Sequence, residues 1–121
     1  MTNLYQNIGG KKTIDIIVDN FYNILSNDNR VNHLLNDIDL ESQKIRTFLF
    51  LTKSMREKVT YNQPLSNKYI TPDKLTEEEL AVFEEVWINV LLEMDLTILL
   101  PLVRQGIAVS KCLKKRLESN D

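Results

Sequence analysis

"LYQNIGGKKTIDIIVDNFY", residues 4–22, places two adjacent glycines between a short apolar start and a strongly patterned run. Glycine is scarce in this chain: three in 121 residues, two of them Gly9 and Gly10. Glycine admits positive φ and close helix approach, so an adjacent pair gives the backbone unusual freedom at this point. Beyond it, Ile14, Ile17, Val18, Phe21, Tyr22, Ile24 and Leu25 recur at three- and four-residue spacing. That period predicts a helix over residues 13–25. Asp15, Asp19, Asn20 and Asn23 fill its other face. "SNDNR", residues 26–30, ends it, because these side chains compete for backbone hydrogen bonds.

Working outward, residues 31–35 suit a short helical turn. Asp39 is placed to cap the next helix, its carboxylate accepting from free backbone N–H groups. That helix is expected over residues 40–55, with Leu40, Ile45, Phe48, Leu49, Thr52 and Met55 as its inward stripe. Residues 58–75 have no sustained period, and Pro64 and Pro72 interrupt them. A single turn of helix fits around residues 65–70. An irregular stretch of this length is unusual in a compact domain unless it has a function or moves.

Thr76 and Glu79 form a capping box, with three acidic residues at the positive end of the helix dipole. The helix continues to residue 93 with Leu80, Phe83, Trp87, Val90, Leu91 and Met94 on one face. Asp95 and Thr97 are the next cap candidates. A last helix to residue 117 carries Leu102, Gly106, Val109, Leu113 and Leu117 on its stripe, with Pro101 tolerable only in its first turn. No segment alternates at period two. The expectation is a single all-α domain over residues 1–121, with globin-like packing because the helices are unequal and the middle is irregular.

The net charge of −2 gives no general case for nucleic-acid binding. The one cysteine, Cys112, excludes an intrachain disulfide. Residues 1–20 lack the apolar block of a signal peptide, and the longest apolar run, residues 98–103, is too short to span a bilayer. The expectation is a cytoplasmic protein with no membrane or nucleic-acid partner. "KCLKKRLE", residues 111–118, puts cations at a helix C-terminus, where they suit the dipole. A protein partner for that basic end is the alternative. No Ser-His-Asp set, metal-ligand cluster or phosphate loop occurs.

Together, "LYQNIGGKKTIDIIVDNFY", "VNHLLNDIDLESQKIRTFLF" and "LTEEELAVFEEVWINVL" resemble the truncated haemoglobins, closest to group I. The likeness covers nearly the whole chain, except that residues 53–75 match poorly. It implies a two-over-two helical sandwich around a haem that binds O₂ or another diatomic gas. It permits nitric oxide dioxygenation or peroxidase-like chemistry without independent support from the residues. Gly9 and Gly10 would be the corner between the first two helices. Tyr22 falls where the family has a hydroxyl that meets the iron-bound ligand. Gln43 and Thr47 fall at further distal positions, and Arg46 falls where a cation pairs with a haem propionate.

The proximal side departs from the family. A globin iron normally takes an axial histidine. The chain's one histidine, His33, precedes the third helix. Aligning "PLSNKY" with the family's ligand segment puts Tyr69 at or next to the ligand position. Lys68 and Ile70 are brought there by a one-residue shift. Leu35 stands where the family has a Phe that packs on the porphyrin. "KSMRE" replaces a second glycine pair. The resemblance thus implies a haem held atypically, with Tyr69 as its metal donor, or a haem-free globin fold serving as a sensor or interaction module.

Overall fold

Gly9 and Gly10 turn the chain with φ of 111° and 67°. A Cβ on Gly9 would collide with the Thr13 hydroxyl. On one side of the corner lies α1 (Leu4–Asn7), capped by Asn3, whose side chain accepts from the Gln6 N–H. On the other lies α2 (Gly10–Ser26), which starts three residues earlier than its apolar period predicts. The computed structural model describes residues 3–119, apart from the side chains of residue 114 and residues 117–119. It divides into two compact units, Met1–Tyr69 and Ile70–Asp121.

In the first unit, α2 packs on α3 (Leu40–Ser54). Ile14, Ile17, Val18, Phe21, Tyr22 and Leu25 of α2 are buried as the period requires, whereas Ile24 is exposed. Each fully buried aliphatic or aromatic side chain contributes about 1.5–3 kcal/mol. A 3₁₀ turn at Asn32–Leu35 leads to Asp39, whose carboxylate accepts from the Ser42 N–H as the α3 cap.

The inward face of α3 keeps only the C-terminal end of the expected stripe. Thr52 and Met55 are buried as expected, joined by Ser42, Gln43 and Leu51, while Leu40, Ile45, Phe48 and Leu49 are only half-buried. Hydroxyl and amide groups turn inward here because each finds a hydrogen-bond partner, which removes most of the penalty for burying them. At its end, Arg56 takes φ 61°, with Glu57 N–H donating to the Thr52 carbonyl (2.9 Å) and Arg56 N–H to that of Lys53 (2.9 Å). This is a Schellman closure without the usual glycine. "KSMRE" therefore keeps the left-handed cap although it lacks the glycines.

Residues 58–71 form no helix or strand, so the turn expected around residues 65–70 is absent; the nearest is a 3₁₀ turn at Pro72–Lys74. Pro72 at the head of that turn favours it there rather than earlier.

In the second unit, α4 (Glu77–Glu93) opens with the expected capping box: Glu79 N–H donates to Thr76 Oγ1 (3.1 Å) and Thr76 N–H to Glu79 Oε1 (2.9 Å). Leu80, Phe83, Trp87, Val90 and Leu91 are buried, joined by Val82 and Val86. Asp95 does not cap a helix. It takes φ 56° in a second Schellman closure, with Leu96 N–H donating to the Leu91 carbonyl (2.8 Å). The 3₁₀ turn Thr97–Leu99 has no side-chain cap either, and it runs into α5 (Leu100–Ser119) with Pro101 in the first turn.

α5 packs on α4 and on the Pro72–Lys74 turn through a different face from the expected one. Leu99, Val103 and Ile107 are buried; Leu102 and Gly106 are half-buried, and Val109 and Leu113 are exposed. The Leu117 side chain lies outside the described residues. Two apolar stripes about 100° apart share this helix, and periodicity alone ranks them equally. Among the described residues there is no strand, and no helix is long and apolar enough to cross a membrane.

Candidate functional site

Tyr22 projects from α2 at the α3 interface, where four-residue spacing puts Gln43 and Thr47 one above the other. Gln43 Nε2 donates to the Tyr22 hydroxyl (3.0 Å), the Tyr22 and Thr47 hydroxyls lie 2.7 Å apart, and Thr47 Oγ1 donates to the main-chain carbonyl of Gln43 (3.0 Å). A threonine has one hydroxyl proton. Since Thr47 gives its proton to the Gln43 carbonyl, the Tyr22 hydroxyl donates to Thr47. The three residues close a loop in which every proton runs the same way. Tyr22 is 3% exposed and Gln43 6%. Burial raises the Tyr22 phenol above its ordinary value near 10, against the smaller opposing pull of the bonds to Thr47 and Gln43. It is therefore a neutral proton donor. The Tyr22 ring also meets Phe21 edge-on at 5.0 Å between centroids, which fixes the side chain's direction.

The neighbouring face of α3 carries Arg46. Its Nη2 donates to the Ser66 carbonyl (3.1 Å), and its guanidinium lies over the Tyr69 ring, 3.9 Å from the centroid. Its Nε is buried without a hydrogen-bond partner. Ser66 N–H in turn donates to Ser42 Oγ (3.1 Å), and Asp39 N–H to the Lys68 carbonyl (2.9 Å). Residues 66–69 are thus tied along α3.

Of the residues singled out from sequence, Tyr22, Gln43 and Thr47 come together, and Arg46 meets Tyr69. Leu35 is half-buried in its 3₁₀ turn, and His33 lies exposed in the same turn. Ser42 and Ser66 were not anticipated. The signal available for Ser42 was its place between Asp39 and Arg46 at spacings of three and four, which put all three on one face of α3. Ser66 carried none, because its partners lie 20 and 24 residues away.

The residues fit a haem in one respect and depart from it in another. The buried, unpartnered Arg46 Nε is the kind of group an acidic cofactor edge would satisfy, and the Tyr22 loop holds a proton for a small ligand. No histidine follows His33. Among the described residues no group of three or more His, Cys, Asp or Glu could hold a metal ion.

The family model for bacterial-like globins matches residues 3–83. The Group 1 truncated hemoglobin GlbN of Synechocystis sp. is 29% identical over 100 residues, covering 71% of this chain and 79% of that protein. No solved structure matches the chain. The all-helical architecture, the glycine corner and these matches agree, and the chain belongs to the bacterial-like globins as a truncated haemoglobin family member.

Proposed function

We propose that this chain is a cytoplasmic haem protein of the gas-binding kind, in which a residue other than histidine would serve as the metal donor. The observation that carries the reading is the closed hydrogen-bond loop of Tyr22, Gln43 and Thr47, a buried store of protons in a member of the globin family. When bound, haem supplies an iron centre that takes a diatomic molecule such as O₂. Tyr22 would offer its proton to that molecule in place of Thr47. Gln43 Nε2 would keep the phenol oxygen in place. Arg46 would be the partner for the cofactor's carboxylates. Tyr69 would supply the metal donor, since a phenolate oxygen suits ferric iron. Leu35 replaces an aromatic contact with an aliphatic one.

Titration of the purified protein with haemin tests this. A Soret band should form, and Tyr69→Phe, which keeps the ring over Arg46 and removes only the oxygen, should shift or abolish it. Tyr22→Phe should keep the band and speed loss of the diatomic ligand roughly tenfold, the loss of one hydrogen bond to a polarised group. A flat spectrum at every haemin ratio would sink the reading.

One observation favours a second reading, a haem-free globin fold used as a sensor or interaction module. Tyr22, Gln43 and Thr47 hydrogen-bond to one another, and Arg46 is engaged by Ser66 and Tyr69. That reading predicts a folded apoprotein whose thermal midpoint ignores haemin. A ligand that binds only the folded state raises the midpoint, so a haemin-dependent rise would exclude it.

A further inference from the structure

α3 presents two adjoining stripes. Gln43 and Thr47 face Tyr22, while Asp39, Ser42 and Arg46 all engage residues 66–69. This segment makes no helix of its own and is attached by side-chain and loop contacts. The attachment leaves Arg46 incompletely satisfied: Nη2 reaches the Ser66 carbonyl, Tyr69 covers the guanidinium face, and the buried Nε–H has no acceptor. Nε and Nη2 define the edge on which a guanidinium takes a carboxylate through two parallel hydrogen bonds. A single carbonyl on that edge fills half of it.

We propose that residues 66–69 form a latch on α3, closed by the Ser66 carbonyl and the Tyr69 ring on Arg46, that a carboxylate-bearing ligand opens by taking the Nε–Nη2 edge. The proposal rests on the haem reading for the identity of that ligand. The exchange is chemically directed. An incoming carboxylate supplies Nε with the acceptor it lacks and displaces the weaker neutral acceptor from Nη2. Affinity for the ligand is then lowered by the stability of the closed latch, and weakening the latch tightens binding. Ser42 is the positioning residue in this scheme: it touches no ligand and holds the Ser66 N–H.

The test combines amide hydrogen exchange with haemin titration. Haemin should raise exchange at the Ser66 amide, which donates from the latch to Ser42 Oγ, and at the Asp39 amide, which donates to the Lys68 carbonyl of the latch. The dimethyl ester of haemin, which has no free carboxylate, should leave both protected. Ser42→Ala should bind haemin roughly fivefold tighter, the equivalent of one lost hydrogen bond in the closed state. A Soret band with unchanged exchange, or equal opening by the ester, overturns the latch and leaves the haem reading standing. No band with either the wild type or Ser42→Ala overturns the haem reading and the latch with it. If Ser42→Ala does not fold, the wild-type exchange comparison decides alone.

Discussion

Replacing Tyr22 by Phe removes one oxygen from the centre of the Tyr22–Gln43–Thr47 hydrogen-bond loop and nothing else. The ring stays, with its edge-on contact to Phe21 and its apolar burial. Two hydrogen bonds go: the 3.0 Å donation from Gln43 and the 2.7 Å donation to Thr47. A net hydrogen bond is worth about 1 kcal/mol, and a buried donor left short of its acceptor costs about 1–3 kcal/mol. Thr47 keeps its own bond to the Gln43 carbonyl, so the principal penalty falls on the Gln43 amide. The expected loss of folding stability is about 2 kcal/mol. Urea denaturation should show it as a lower midpoint at unchanged slope. The double-mutant cycle with Thr47→Val should give a coupling of about 1 kcal/mol, because the two side chains share one bond. Alkaline titration adds a signed test. The folded phenol's pKa is raised, so its contribution is present below the ordinary value near 10 and is lost as pH climbs through the folded value. Tyr22→Phe should remove that alkaline loss. A destabilisation below about 0.5 kcal/mol with an additive cycle would refute the closed loop, since that is the range of substitutions with no buried partner.

Four other outcomes follow from local geometry. Gly9→Ala should destabilise by about 2 kcal/mol, because φ 111° is strained for any L side chain and the new Cβ meets Thr13; Gly10→Ala, with only the Tyr5 ring at 3.7 Å, should cost about 1 kcal/mol by thermal denaturation. Arg56→Gly should stabilise by about 0.5–1 kcal/mol, since the left-handed cap at φ 61° suits glycine better, and destabilisation would mean the Arg side chain matters more than its backbone. Thr76→Ala should lose about 1 kcal/mol with the capping box, visible as earlier exchange of the Glu79 amide. Hydrogen bonds from the Arg30 side chain hold the Asp28 carboxyl at about 2, well below its usual range. Its contribution is present above pH 4 or so and fades as pH falls towards 2; carboxyl NMR should find that midpoint, and Arg30→Ala should raise it only part of the way to the usual range, because the Arg30 backbone N–H still donates to Asp28 (3.0 Å).

The comparison of sequence with structure divides along the range of the interactions. The helix of Ile14, Ile17, Val18 and Phe21, the Asp39 cap and the Thr76–Glu79 box could all be read from residues a few places apart, because their physics is local. The pairing of Tyr22 with Gln43 and Thr47 was legible only through the family resemblance, which supplied positions 21 and 25 residues distant. The stripe assigned to α5 failed for the opposite reason: Val109 and Leu113 repeat as regularly as Val103 and Ile107, and nothing local separates them.

The amino-acid sequence by itself determined which segments are helical and the caps at Asp39 and Thr76, since dihedral preference, capping and the 3.6-residue period act within a few residues. It determined the family, through a glycine corner and a Phe-Tyr pair in register. Tertiary structure alone decided that Ser42 faces inward, that Arg46 is divided between a carbonyl and an aromatic ring, and that residues 66–69 lie along α3. Those outcomes depend on hydrogen bonds closed across twenty or more residues, where each polar group is buried only because a distant partner arrives to meet it.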